Sequence, residues 1–85
     1  MKIFYLKKFA KQYKKIPLEI KKLTKEKEKV FRINPFDSRL KTPKLHGDLR
    51  DFFAFSINGS IRIIFDFDKN KNVRFYTIGS HDIYY

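Results

Sequence analysis

The chain has 85 residues, no cysteine, and 20 Lys and Arg against 9 Asp and Glu, for a formal net charge of +11. That length suits one domain over residues 1–85, and the missing thiols exclude a disulfide framework and cysteine-based metal sites. No apolar run approaches the roughly 20 residues of a spanning helix, and lysines at 7, 8, 11, 14 and 15 interrupt any apolar leader, so the expectation is a soluble, cytoplasmic protein that uses no membrane.

Without disulfides the fold rests on its apolar core, and ten Phe and five Tyr supply large burial per residue. The excess of positive charge points to a polyanion or an acidic protein as partner. Composition does not say which.

Taken in order, residues 2–6 are apolar and aromatic and suit a short first strand. Leu6, Phe9, Ala10 and Tyr13 then recur at helical spacing, with lysines between them. Pro17 either breaks that helix or opens a second one at its first position, where the missing N–H costs nothing. From Leu18 to about Arg32 the period is helical again, with Ile20, Leu23, Val30 and Phe31 as the apolar stripe. Lys21, Lys25 and Lys29 are spaced four apart on this helix and repel by about a few tenths of a kcal/mol per pair. Asn34-Pro35 ends the helix, because the residue before proline is pushed out of the α region.

Residues 34–48 form a polar connection carrying Arg39, Lys41, Lys44 and His46. Three strands follow: Arg50 to Ile57, Ser60 to Phe67, and Val73 to Ile78. Asn58-Gly59 between the first two is the preferred two-residue hairpin turn, with both central residues at positive φ. The expected architecture is α+β: a short N-terminal strand, two helices, then an antiparallel three-stranded meander with the helices packed on one face.

A two-residue turn pairs Phe55 with Arg62 and Phe53 with Ile64, and opposed residues share a face. One face then holds Phe52, Ala54, Ser56, Ile61, Ile63, Phe65 and Phe67, and is expected beneath the helices. The other holds Phe53, Phe55, Ile57, Arg62, Ile64 and Asp66. A second loop over 68–72 sets Asp66 opposite Arg74, Ile64 opposite Tyr76 and Arg62 opposite Ile78. Exposed rings interleaved with cations suit single-stranded nucleic acid, since bases stack on rings while Arg and Lys hold phosphates.

His81 follows Gly79-Ser80 beside the strand end that faces Arg62, and its reference pKa lies near neutrality. Metal-free RNA cleavage needs a 2′-hydroxyl, a proton acceptor, a proton donor to the leaving 5′ oxygen, and positive charge on the phosphorane. Arg62 and His81 supply two of these. Two histidines far apart in sequence do not suggest a metal site, and no cofactor is expected.

Three stretches resemble the RelE/ParE toxin superfamily, and its RelE-like mRNA interferases in particular. Lys44-Leu45-His46-Gly47-Asp48-Leu49 looks like that family's Lys-Leu-Lys-Gly segment. Ser60-Ile61-Arg62-Ile63-Ile64-Phe65 looks like its Arg-bearing strand. Ile78-Gly79-Ser80-His81-Asp82-Ile83-Tyr84 is similar to its Gly-Thr/Ser-His-Asp-x-x-Tyr ending.

The resemblance implies the toxin of a type II toxin–antitoxin system, a ribosome-dependent mRNA endoribonuclease restrained by an acidic antitoxin. By position, Arg62 would stabilise the transition-state phosphate and His81 would be the general acid. Lys44 would hold a phosphate, and Tyr84 or Tyr85 would stack on a base, beside Arg74 and Tyr76 on the open face. The sequence departs from the histidine-rich subgroup at Ser56 and Ser60, so the general base has no counterpart there. His46, where the family commonly has lysine, is the neutral-pH candidate for the base, or else a phosphate contact. Two other readings share the fold: a ParE-like inhibitor of DNA gyrase, and a nucleic-acid-binding relative without catalysis.

Overall fold

Lysine-rich segments with apolar residues at helical spacing fold as expected, and what they cover decides the sheet. A computed structural model describes residues 1–42 and 44–80. Strand β1 (Ile3–Tyr5) leads into helices α1 (Lys7–Lys14) and α2 (Leu18–Ile33), and Pro17 caps the second helix. The connection contains two single 3-10 turns, Ser38–Leu40 and Gly47–Leu49. Strands β2 (Phe53–Ser56), β3 (Arg62–Phe67) and β4 (Val73–Gly79) complete the described chain.

The expected meander is present, but the sheet is not purely antiparallel. Among the described residues it has four strands in the order β1–β4–β3–β2, and β1 runs parallel to β4 with Ile3 opposite Val73. Val73 N–H donates to Lys2 C=O and Leu6 N–H to Phe75 C=O, so β1 covers what would be an open edge of β4. A three-residue strand carries no pattern that tells parallel from antiparallel pairing.

The first hairpin also differs from expectation. Neither Asn58 nor Gly59 has a positive φ, so the mirror-image turn does not form. Instead the Asn58 side-chain oxygen accepts from the backbone N–H of Ser60 (2.8 Å) and Ile61 (2.7 Å), and Ile57 N–H donates to Ile61 C=O at 2.8 Å. The side chain offers the backbone a competing set of bonds and lengthens the loop to three residues.

Register therefore moves by one: Phe53 faces Phe65, Phe55 faces Ile63, and Ser56 faces Arg62. A one-residue shift turns every side chain over. Phe53 and Phe55 leave the open face for the helix side, while Ala54 and Ser56 join Arg62 and Ile64. Burial accounts for the outcome, because Phe55 is completely buried and stacks on Phe31 of α2 with centroids 4.7 Å apart.

Phe31, Phe55, Phe65 and Phe75 form the centre of the core, and Phe31 meets Phe65 and Phe75 edge-on at 4.9 and 5.4 Å. Phe9 of α1 packs on Phe75 at 5.4 Å, so both helices lie on one face of the sheet. Ile20, Leu23 and Val30 pack around this centre as the helical period predicts. Thr24 is buried among them, and its hydroxyl donates to Ile20 C=O at 2.7 Å.

Gln12 ties α1 to the end of β4. Its side-chain oxygen accepts from the Thr77 hydroxyl at 2.7 Å and from Ile78 N–H at 2.9 Å. The amide thus continues the hydrogen bonding of β4 past the point where β1 stops.

Between β3 and β4, Asp66 faces Arg74 as expected. A β-bulge then intervenes between Ile64 and Phe65, with Tyr76 as the extra residue, so Ile64 faces Thr77 and Arg62 faces Gly79 rather than Ile78. The bulge lies beyond Arg74, which keeps its face.

Candidate functional site

Arg62 is the first residue of β3, half-buried, between Ser56 on one neighbouring strand and Gly79 on the other. Gly79 adds no side chain to cover the guanidinium. Arg62 Nη1 donates to Ser56 Oγ at 3.0 Å. Arg62 Nε is fully buried and has no hydrogen-bond partner among the described residues. An unmet donor on a charged group is costly, and in a native protein it asks for a ligand or another explanation.

The guanidinium opens into a cleft of about 290 Å³, lined by Lys27 from α2, Arg39 and Lys41 from the connection, and Ser56 to Gly59 at the hairpin. Among the described residues, four cations and no carboxylate line it. Asp37, just outside, binds Arg39 through two charge-assisted bonds: Arg39 Nε to Oδ1 at 2.9 Å and Nη2 to Oδ2 at 3.0 Å. The Asp37 carboxyl is held down at about 2 by the Arg39 guanidinium first, then by the Arg39 backbone N–H, with Lys27 adding further attraction.

Lys41 adopts a left-handed conformation, φ 48° and ψ 65°. For a non-glycine residue this costs about 1–2 kcal/mol. The conformation turns the chain after Leu40, which is fully buried and anchors the connection beside the sheet.

A different cluster occupies the other end of β3, four residues or about 13 Å along the strand. Arg74 Nε and Nη2 each donate to Asp66 at 2.8 Å, and the Tyr76 hydroxyl donates to Asp66 Oδ2 at 3.1 Å. Arg74 also lies over the Tyr76 ring, 5.9 Å from its centroid. Burial first, and then the Asp66 carboxylate, push the Tyr76 hydroxyl pKa up. Phe52 meets Tyr76 edge-on at 4.9 Å. This network satisfies its own polar groups.

No protein-family profile matches the chain, and no curated protein matches it by sequence. Solved structures do match. A YoeB/ParE toxin from Agrobacterium tumefaciens superposes with a TM-score of 0.79 at 14% identity, covering 95% of this chain and 99% of that one. The YoeB–YefM complex from Staphylococcus aureus gives 0.77 at 20% identity, over 95% of this chain and 97% of that one. The archaeal RelE–RelB complex from Pyrococcus horikoshii gives 0.75 at 17% identity, over 93% and 92%. The fold is that of the RelE/ParE toxins. At such identities the likeness carries the fold and leaves chemistry to be argued from the residues.

Within this RelE/ParE fold the residues named from sequence fall into separate places. Arg62 is at the cleft. Arg74 and Tyr76 share the Asp66 cluster at the far end of the strand. Lys44 is exposed and bridges Phe53 at the start of β2, three residues or about 10 Å from Ser56. His46 is exposed and precedes the second 3-10 turn, its carbonyl accepting from Leu49 N–H at 3.3 Å. His81, Tyr84 and Tyr85 lie outside the described residues.

Lys27 was not singled out by sequence reasoning, Lys41 was named only as one cation of the polar connection, and Ser56 only on the helix-facing side of the sheet and as a departure from the histidine-rich subgroup. Lys27 sits in a lysine-rich helix where no spacing distinguishes it, and Ser56 moved to the Arg62 face only through the altered register. Among the described residues no group of three His, Cys, Asp or Glu side chains is placed to hold a metal ion, and no helix is long and apolar enough to cross a membrane.

Proposed function

We propose that this protein is the toxin of a type II toxin–antitoxin system and cleaves mRNA on the ribosome. The observation that carries this reading is the Arg62 guanidinium, with a buried, unpartnered Nε at a cleft lined by cations. The RelE/ParE fold around it supports the class. Arg62 faces Gly79, and in the sequence His81 follows Gly79 by two residues.

In the proposed reaction the RNA's own 2′-oxygen attacks the adjacent phosphorus. The P–O2′ bond forms, the P–O5′ bond breaks, and the products are a 2′,3′-cyclic phosphate and a 5′-hydroxyl. Arg62 donates to the phosphorane oxygens as negative charge builds, and His81 delivers a proton to the leaving 5′ oxygen. Arg62 needs no proton transfer for this, and Ser56 already orients it. Tyr84 or Tyr85 stacks on a base, Lys44 holds a flanking phosphate, and His46 is the candidate proton acceptor. Arg74 and Tyr76 offer the RNA their exposed flanks, since their polar groups are engaged with Asp66.

The partners in this reading are the ribosome with its mRNA, in the cytoplasm, and an acidic antitoxin. The charge of +11 and the existence of toxin–antitoxin complexes with this fold support the last of these.

Expression without an antitoxin is expected to arrest growth and cut translated mRNA. Arg62→Ala should lower cleavage by about 10²–10³-fold, the usual effect of removing one donor to a developing oxyanion, while leaving thermal unfolding unchanged. Undiminished cleavage in that variant would overturn the assignment. Gyrase-dependent DNA breaks with intact mRNA would mark a gyrase inhibitor instead.

A further inference from the structure

We infer that the cleft beside Arg62 holds a second backbone phosphate of single-stranded RNA, bound by Lys27 and Lys41, next to the phosphate that Arg62 contacts. This rests on the nuclease reading for its substrate, and adds a subsite that the reaction itself does not require.

Charge counting leads to it. Of the four cations that line the cleft, only Arg39 has an ion-pair partner among the described residues, and that partner is Asp37. Lys27, Lys41 and Arg62 therefore face one shared space with no ion-pair partner of their own among the described residues, and the nearby Asp37 is already engaged by Arg39. Like charges gathered in this way repel unless an anion joins them. One phosphodiester carries a single negative charge and leaves most of the excess uncompensated. Two neighbouring phosphates of one strand come closer to balancing it.

The shape agrees. About 290 Å³ is at the lower limit of small-molecule pockets, which run from about 300 to 1,000 Å³. That is room for a phosphate with part of its sugar, open on one side, rather than for a whole enclosed ligand. Among the described residues the lining has no aromatic ring, so those residues offer a base no stacking surface. Backbone, not base, is the moiety that fits.

Lys41 supplies an independent reason. Its left-handed backbone is a position that glycine occupies without strain. A lysine there places a cation in the cleft at the expense of local conformational ease.

The test uses the full chain and a short deoxyribonucleotide, which lacks the 2′-hydroxyl and cannot be cut. Affinity is measured against salt concentration for the wild type, for Lys27→Ala/Lys41→Gly, and for the charge-matched control Lys22→Ala/Lys29→Ala on the exposed part of α2. Each phosphate contact on a single strand contributes about 0.7 to the slope of log K against log salt. The cleft variant gives up one phosphate and should lose about 0.7 from that slope, and the control should keep the wild-type value. Lys41→Gly relieves the backbone, so unfolding at or above the wild-type temperature separates binding from folding.

Equal losses in both double variants would show a diffuse field and overturn the subsite, as would an unchanged slope in the cleft variant. Binding of a polyglutamate peptide with none of the oligonucleotide would also overturn it. If the slopes behave as expected while no variant or wild type cleaves mRNA, the subsite stands and the nuclease reading fails. If Arg62→Ala abolishes cleavage and the slopes do not separate, the nuclease reading stands and the subsite fails.

Discussion

Gln12 offers the sharpest test of how the site is held. Its single oxygen serves two donors at the end of β4, the Thr77 hydroxyl at 2.7 Å and Ile78 N–H at 2.9 Å, and both residues are nearly inaccessible, at 6% and 2% exposure. Gln12→Leu keeps the approximate volume and removes the acceptor. Each buried donor left unmet costs about 1–3 kcal/mol. Gln12 is itself half-buried, so water reaches part of the gap, and about 2–3 kcal/mol for the pair is expected. A domain of this size has about 4–13 kcal/mol in all, at 0.05–0.15 per residue. The loss is then a large share, and the melting temperature should fall by about 8–24 °C. Gln12→Glu keeps an acceptor for both donors and should cost within about 1 kcal/mol, the penalty of an acid in the last turn of a helix. Urea unfolding gives the two stabilities, and hydrogen exchange at the Ile78 amide reports the bond directly. Gln12→Leu within about 0.5 kcal/mol of wild type, or a Gln12→Glu as damaging as the leucine, would show that the shared acceptor is not what holds the end of β4. Ile78 adjoins Gly79 opposite Arg62, so loss of the tether should also loosen that end of β4 beside the guanidinium.

Phe31→Ala should destabilise by about 3–5 kcal/mol in chemical denaturation, because Phe31 is completely buried against Phe55, Phe65 and Phe75; Phe36→Ala, at a ring half exposed, should cost far less. Ser56→Ala removes the acceptor for Arg62 Nη1 and should slow mRNA cleavage by about tenfold or more, from a charged hydrogen bond of about 1.5–3 kcal/mol. Stability should change little, and Ser56→Thr should restore the rate. Asp37 should titrate at about 2 by NMR, against an ordinary 3.8, because Arg39 favours its ionised form. A carboxyl with a depressed folded pKa contributes stability above its unfolded value, and that contribution is lost as pH falls from about 4 to 2; in Arg39→Ala the midpoint should return towards 4.

Much of the fold is legible in the chain because its signals are local. Helical spacing from Leu6 to Tyr13 and from Ile20 to Phe31, and the proline at 17, place both helices. Asp68 and Asn72 mark the second loop well enough to set Asp66 opposite Arg74. Arg62 stands out as the lone cation in an apolar strand, and it is the residue at the cleft.

Register and assembly are another matter. Asn58-Gly59 admits two turns, and a side-chain oxygen serving two N–H groups, together with the full burial of Phe55 and the partial burial of Phe53, selected the longer one. That choice carried Ser56 to Arg62. The Tyr76 bulge brought Gly79 opposite the same guanidinium. Lys27, Lys41 and Arg62 come from three segments that no local period relates, and only the packing of α2 and the buried Leu40 against the sheet puts them around one cleft. What the sequence determined by itself is therefore the set of elements, the apolar faces and the excess positive charge, since each depends on residues near one another in the chain. Tertiary structure alone decided which cations share a space, because that follows from strand register and long-range burial.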